Sequence, residues 1–331
     1  MLLLSPSTLM FSSTLMAGTL ISISSSSWLM AWLGLELNLL SFIPLITLKH
    51  NTFSSEAALK YFLIQALGSA TFLASVTMLL VFTYTPKVLI FCSLILKMGA
   101  APLHFWLPTI MQGMSWPNCI ILMTIQKIAP LVLTSYLLCP QISALLTSAS
   151  IFSAMMGGLG GLNQTLLRKL MAFSSINHMA WMLAAISAST SLWTHYILTY
   201  SVISASLVAL FNRNQTFHIK HLTNFSAPQL SKITTFLSLF SLGGLPPFLG
   251  FLPKMMVIKH LVNQGLLSWA FILTMSALIT LFYYIRVALT SMTLMTPKTS
   301  QDMNFTNHSS AKITLINLLP IFFPLMMLIP L

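Results

Sequence analysis

The sequence carries very little charge. Only 5% of its 331 residues are Asp, Glu, Lys or Arg, whereas 56% are hydrophobic. Soluble domains contain about 25% charged residues, so this chain lacks the polar surface that a water-soluble fold requires. The composition excludes a soluble protein and predicts one whose outer surface faces lipid.

Acidic residues are scarcest of all. Glu36, Glu56 and Asp302 stand against 15 Lys and Arg, which gives a formal net charge of +12. The basic residues lie singly between apolar stretches, without the basic clusters that are typical of nucleic-acid binding. We therefore expect no nucleic-acid partner and interpret the basic residues as signals of membrane topology.

Cysteine is also rare, and its spacing excludes common metal and redox sites. Cys92, Cys119 and Cys139 lie inside apolar segments with no Cys-x-x-Cys motif. Structural metal sites and redox pairs need clustered thiolates. We expect three buried thiols and no bound metal.

Long apolar runs are abundant. Runs of about 20 residues, enough to cross roughly 30 Å of hydrocarbon, recur along the chain without the alternation of a β-barrel. They predict an all-α, polytopic membrane protein with about eleven transmembrane helices. The runs lie near 8–26, 28–48, 57–84, 88–108, 118–138, 141–160, 171–188, 192–212, 233–262, 266–290 and 312–330.

The basic residues divide unevenly between the two faces that this topology defines. Only Lys87 and Lys259 fall on one face. The other face receives Lys49, Lys60, Arg168, Lys169, Arg213, Lys220, Lys232, Arg286, Lys298 and Lys312. Basic loops stay on the inner side of a membrane, so this bias predicts that the N-terminus lies there and the C-terminus opposite.

Four charged residues fall well inside predicted spans, away from the span ends: Glu36, Lys97, Lys127 and Lys254. Each would cost about 2.5–3.5 kcal/mol at mid-membrane on insertion scales. Such residues persist where they are paired, hydrated and useful, although a structural ion pair or snorkelling to the interface is the alternative. We interpret them as candidates for an ion pathway.

Prolines lie near each buried lysine and predict broken helices. Pro102 and Pro108 follow Lys97, Pro130 follows Lys127, and Pro246, Pro247 and Pro253 precede Lys254. A proline inside a helix removes a backbone donor and frees carbonyls. Broken helices occur within membranes where they line a polar cavity enclosed by protein.

The two main breaks resemble each other. Residues 99–108 read GAAPLHFWLP and residues 244–253 read GLPPFLGFLP, five predicted helices apart. Because the two motifs are separated by an odd number of helices, the two halves of the chain would cross the membrane in opposite directions, as in transporters with inverted repeats. We predict a first five-helix repeat at 1–140, a second at 141–290, and a polar loop with a C-terminal helix at 291–331.

With these motifs in place, the chain resembles the metazoan form of subunit 2 of mitochondrial NADH–ubiquinone oxidoreductase (respiratory complex I), an antiporter-like family. The resemblance covers nearly the full length. Its matching stretches are 32–38, 56–62, 97–108, 126–130, 161–165 with Arg168 and Lys169, 174–178 and 241–254.

This resemblance implies a proton-translocating core subunit of the mitochondrial inner membrane, with other complex I subunits as partners. It implies that Glu36 pairs with Lys97, and that Lys127 and Lys254 continue a polar axis. It also implies no cofactor in this chain, because NADH, FMN, iron–sulfur clusters and ubiquinone would bind to other subunits.

Two histidines extend the candidate pathway. His178, in the seventh span, could relay protons between Lys127 and Lys254 because imidazole both donates and accepts near neutral pH. His104, just beyond the first break, could provide proton access. A structural histidine held by hydrogen bonds remains the alternative for both.

Two other functions remain open at this point. A stand-alone cation/proton antiporter would use the same charges to exchange Na⁺ or K⁺ for protons. A structural scaffold of the membrane arm would need the lysines for stability rather than for transport.

Overall fold

The computed structural model describes residues 5–47, 51–82, 84–223, 229–246 and 248–293. Within these ranges the predicted all-α class is confirmed, and β structure is limited to one isolated antiparallel bridge between Leu166 and His218. The helices are α1 (Pro6–Ser24), α2 (Trp28–Thr47), α3 (Thr52–Met78), α4 (Thr85–Met98), α5 (Trp106–Gly113), α6 (Trp116–Met123), α7 (Ile125–Tyr136), α8 (Pro140–Gly161), α9 (Leu167–Ala188), α10 (Thr190–Arg213), α11 (Ile219–Thr223), α12 (Gln229–Gly243), α13 (Phe251–Asn263) and α14 (Leu267–Thr293).

Eight helices in the described part of the chain are long and apolar enough to cross a membrane, with α6 and α7 taken together. The fourth and ninth predicted spans are instead interrupted, as α4 and α5 and as α12 and α13. The eleventh predicted span, 312–330, lies outside the described residues. The protein is therefore a multi-pass membrane protein, and the count of eleven is not confirmed.

The chain divides into two compact units, Met1–Ser153 and Ala154–Leu331. The predicted repeats at 1–140 and 141–290 and the segment 291–331 remain a prediction, because their inverted relation is not tested. Each unit contains one of the two interrupted spans.

In the first unit, α1 and α2 pack with their backbones almost in contact. A methyl group on Gly34 would lie 2.6 Å from the backbone nitrogen of Ser22 and 2.8 Å from the carbonyl oxygen of Gly18. Small residues permit this close approach, which is common between helices in lipid. The contact fixes α2, the helix that carries Glu36.

In the second unit, α9 is the most enclosed of the long helices. In the most apolar 18-residue stretch of α9, 89% of the residues are buried, compared with 39% in the corresponding stretch of α14. Helices α10, α13 and α14 pack against it. An enclosed helix can carry polar side chains without exposing them to lipid, which allows α9 to hold His178.

Candidate functional site: buried lysines at helix breaks

Lys97 lies in the last turn of α4, immediately before the first break. The residue is 7% exposed, and its alkyl chain passes over Gly68 of α3. A methyl group on Gly68 would lie 3.3 Å from Lys97 Cγ. Because glycine has no side chain, it leaves room for the alkyl chain of the lysine. Gly99, at φ +71°, then ends the helix in the left-handed conformation that suits glycine.

The end of α4 is capped by donors of the same unit. The backbone N–H groups of Gly99 and Ala100 donate to the carbonyl of Ile95, at 3.1 and 3.2 Å. Trp106 Nε1–H donates to the carbonyl of Leu96 at 3.0 Å. The carbonyls of Ile95 and Leu96 at this break therefore accept hydrogen bonds from the chain itself.

His104 lies in the segment that links α4 to α5. It is buried, and its Nδ1 is 3.3 Å from the carbonyl oxygen of Pro102. Its ring is tilted against that of Phe105, with 4.3 Å between the ring centroids. The structure thus places His104 within the break, where local contacts hold its ring.

Glu36 lies in α2 and is half-buried. An electrostatic interaction links it to Lys97. The two residues do not form an ion pair within 4.0 Å, and the one such pair among the described residues is Lys60–Glu56 on the exposed face of α3. The structure therefore brings Glu36 into range of Lys97 without direct contact.

Lys127 is 2% exposed and lies at the third residue of α7. The predicted break at Pro130 is wrong, because this proline lies inside α7. The helix is interrupted earlier, at Thr124, where φ is −115° and ψ is −76°. A proline ring clashes with the carbonyl four residues before it, here that of Gln126, so its distortion falls upstream.

Lys254 interacts with the end of the other interrupted span. Its Nζ donates to the carbonyls of Gly243, at 2.8 Å, and Leu242, at 3.5 Å. These are the last residues of α12, where the partial negative charge of the helix dipole favours a cation. The same ammonium lies 5.7 Å from the ring centroid of Trp181, a cation–π contact.

His178 lies in the middle of α9 and belongs to an aromatic cluster. Its Nδ1 is 3.0 Å from the hydroxyl oxygen of Tyr196. The ring of Tyr200 lies 4.8 Å from the His178 ring, centroid to centroid. Trp181 lies three residues further along α9, so the aromatic contacts continue toward Lys254.

The structure therefore brings the predicted residues together within each unit. The first unit contains Glu36, Lys97, His104 and Lys127, with α4 packed against α7. The second unit contains His178 and Lys254, and Lys254 contacts Trp181 on the helix that carries His178.

Sequence reasoning missed the aromatic partners of the second unit. Tyr196 and Tyr200 are spaced four apart on α10, which places their side chains on one face of that helix. That spacing could have suggested aromatic partners for His178. In an apolar helix, however, the same spacing equally indicates ordinary core packing.

Comparison with known proteins identifies the family. A family profile described as "NADH:quinone oxidoreductase/Mrp antiporter, TM" matches residues 25–88 and 83–280. The chain belongs to this family. Among its relatives are proteins named NADH-ubiquinone oxidoreductase chain 2 from Anopheles gambiae (47% identical over 93% of each chain) and Locusta migratoria (40% identical over 87% of this chain and 86% of the relative).

Solved structures of distant relatives share the fold of this antiporter-like family. A chain of respiratory complex I from Thermus thermophilus superposes with a TM-score of 0.83 at 23% identity, covering 96% of this chain and 77% of that one. A chain of an archaeal membrane-bound sulfane sulfur reductase gives a TM-score of 0.85 at 16% identity, covering 96% and 73%. At these identities the likeness shows the fold alone.

Proposed function

We propose that this chain is a proton-translocating membrane subunit of respiratory NADH:ubiquinone oxidoreductase. The observation that carries the proposal is the burial of three lysines, Lys97, Lys127 and Lys254, each within a few residues of an interruption in a membrane-spanning helix. Membership in the NADH:quinone oxidoreductase/Mrp antiporter family and relatives named NADH-ubiquinone oxidoreductase chain 2 support it.

In the first unit, Glu36 controls the proton on Lys97. Burial favours the neutral form of a lysine, and a carboxylate close by favours the charged form. Because Glu36 is half-buried and not in contact with Lys97, it can move toward that lysine or toward a neighbouring subunit. Approach holds the proton on Lys97, and withdrawal releases it to Lys127.

In the second unit, Lys254 receives the proton, with His178 as the relay. The carbonyls of Leu242 and Gly243 stabilise the charged form of Lys254, and no carboxylate of the described part of the chain forms an ion pair with it. Repulsion between neighbouring cations then favours onward transfer and release. His178 can donate with one ring nitrogen and accept with the other, as a relay requires.

The surroundings follow from the same proposal. The chain lies in the mitochondrial inner membrane, with its N-terminus on the matrix side and its C-terminus on the intermembrane side. Its partners are the other subunits of complex I. It binds no redox group, because NADH, FMN, iron–sulfur clusters and ubiquinone bind to other subunits, which supply the driving force.

The test uses the assembled complex in sealed membrane vesicles. Lys97→Met and Lys254→Met should each lower the number of protons moved per electron while NADH oxidation with an uncoupler stays near the native rate. Assembly should persist, because methionine is close to lysine in length and removes the cost of burying a charge. Lys60→Met is the control, because Lys60 is exposed and pairs with Glu56.

The outcome separates the proposal from its alternatives. A structural scaffold predicts lower stability and unchanged protons per electron in the lysine variants. A stand-alone antiporter predicts that the isolated chain exchanges Na⁺ for protons in liposomes. Native stoichiometry in both lysine variants would refute the proposed role.

A further inference from the structure

Three tyrosine hydroxyls in the second unit are buried, and none has a hydrogen-bond partner within 3.5 Å among the described residues. Tyr200, Tyr283 and Tyr284 are at most 2% exposed, and their nearest hydroxyl neighbours are those of Ser175, of Ser174 and, within the pair Tyr283–Tyr284, of each other. In native proteins about 90% or more of buried polar groups are hydrogen-bonded, to protein or to ordered water. Three exceptions in one cluster therefore indicate bound water.

The three tyrosines extend from α14 to His178. The rings of Tyr283 and Tyr284 meet edge to face, with centroids 4.7 Å apart. Electrostatic interactions link Tyr284 to Tyr200 on α10. Tyr200 in turn lies against the ring of His178, which is the proposed relay.

Two serines of α9 line the same column. Ser174 lies beside Tyr284, and Ser175 lies beside Tyr200. Each serine donates its own hydroxyl hydrogen to a backbone carbonyl of the preceding turn, at 2.8 and 2.7 Å. Their oxygens therefore remain able to accept a hydrogen bond from water or tyrosine.

The outer end of the column reaches an exposed loop. A methyl group on Gly161, the last residue of α8, would lie 2.6 Å from Tyr283 Cε1 and 3.1 Å from Cζ, so the hydroxyl end of this ring lies at that helix end. The chain then enters the loop 162–166, in which Asn163 and Thr165 are exposed. Arg286, three residues beyond Tyr283, donates to Gln164 in the same loop at 3.2 Å.

The inner end leads toward Lys254. Trp181 lies one turn beyond His178 on α9, and its buried Nε1–H also has no acceptor among the described residues. Lys254 Nζ lies over the ring of Trp181. The loop 162–166, the tyrosines, His178 and Lys254 thus lie within one compact unit, and Lys254 contacts the helix that carries His178.

We propose that Tyr200, Tyr283 and Tyr284, with Ser174 and Ser175, form a hydrated hydroxyl column that conducts protons between the loop 162–166 and His178. This inference rests on the proposed function. Each hydroxyl gives its proton to the next acceptor and takes one from the water before it, so no charged tyrosine accumulates. On the predicted topology the loop belongs to the basic, inner face, which makes the column an entry route from that side.

The test replaces the three tyrosines by phenylalanine in the assembled complex. The substitution removes three hydroxyls that have no partner within 3.5 Å and keeps all three rings, so packing and assembly should be retained. The protons moved per electron should fall to the level of Lys254→Met, while NADH oxidation with an uncoupler continues. Tyr61→Phe is the matched control, because Tyr61 is equally buried but lies in the first unit.

The results distinguish this inference from the function on which it rests. If Lys254→Met lowers the stoichiometry and the triple phenylalanine variant does not, the column is wrong and the pump stands. If neither lowers it, the proposed function itself fails. Should the triple variant not assemble, a high-resolution map of the unmodified complex decides: ordered water between Tyr200 and Tyr284 supports the column, and a dry cluster overturns it.

Discussion

At the scale of single residues, the protein holds its buried lysines by different means. Lys97 depends on a half-buried carboxylate at a distance, whereas Lys254 donates directly to the carbonyls that end α12. A cation at a helix C-terminus gains about 0.3–1 kcal/mol, and up to about 2 kcal/mol where it is partly buried. In the proposed mechanism the two units therefore stabilise a buried lysine with different groups, and only the first uses an acid that moves.

Gly244 should be required for the position of Lys254. It has φ +76°, and a methyl group there would lie 2.8 Å from Lys254 Cδ and 3.0 Å from Nζ. Gly244→Ala should cost about 1–2 kcal/mol from the backbone alone and should also displace the ammonium from its carbonyls. We expect fewer protons per electron in vesicles.

Gly265 provides the control for this substitution. It has φ +75°, and nothing lies within 4 Å of the added methyl group. Gly265→Ala therefore carries the backbone cost without the contact with a lysine. Equal proton stoichiometry in the two alanine variants would show that the geometry around Lys254 is not needed for transport.

At the scale of elements, the breaks show how far the sequence could predict the site. The prolines near Lys97 and Lys254 correctly indicated interruptions in two spans, and the structure adds that Gly99 and Gly244 end the helices there. Pro130 lies inside α7, and the interruption occurs upstream of it, at Thr124. A proline distorts the helical turn that precedes it, so the position of the proline did not predict the position of the break.

The tyrosine column could not be predicted from sequence for a related reason. Tyr200 and the pair Tyr283–Tyr284 lie on different helices within apolar stretches, where aromatic residues ordinarily pack a core. The burial of their hydroxyls beside one another is a property of tertiary packing, which the sequence of a single helix does not reveal. The buried lysines were predictable because the cost of a charge in lipid is visible in the sequence itself.

The cap on α4 should depend on the indole of Trp106. Trp106→Phe removes its hydrogen bond to Leu96, which is worth about 1 kcal/mol, so the amides at the end of α4 should exchange hydrogen roughly fivefold faster. Hydrogen–deuterium exchange measured over residues 94–100 of the assembled complex tests this expectation.

A second buried tryptophan supplies the comparison. Trp269 has a buried Nε1–H without an acceptor among the described residues, so Trp269→Phe removes an indole but no hydrogen bond. If Trp269→Phe accelerated exchange at its own helix as much as Trp106→Phe does at α4, loss of indole packing rather than of the cap would explain the effect.

At the scale of the whole molecule, the topology predicted from basic residues agrees with contacts inside the second unit. Two loops assigned to the same face are hydrogen-bonded, because Leu167 N–H donates to the carbonyl of Phe217 at 2.9 Å and Ile219 N–H donates to that of Thr165 at 3.1 Å. Arg286, assigned to that face as well, donates to Gln164. These helix ends therefore lie together, as alternating spans require.

Labelling from the two sides of the membrane tests the orientation. A cysteine at exposed Asn163 should react with a membrane-impermeant maleimide only from the matrix side, and one at exposed Gln264 only from the intermembrane side. The unsubstituted chain gives the background. The expectation of three buried thiols is wrong, because Cys92 is exposed and Cys139 half-buried, and only Cys119 is buried. Reversed labelling of the two positions would invert the topology.

The contact between Lys254 and the last carbonyls of α12 couples the protonation state of the lysine to the packing of two helices. When the amine gives up its proton it keeps hydrogens to donate, but it loses its Coulombic attraction to the helix terminus. Each passage of a proton would thus weaken and then restore the interaction between α13, which carries Lys254, and the end of α12. Proton transfer would therefore change the local stability of the fold in each cycle.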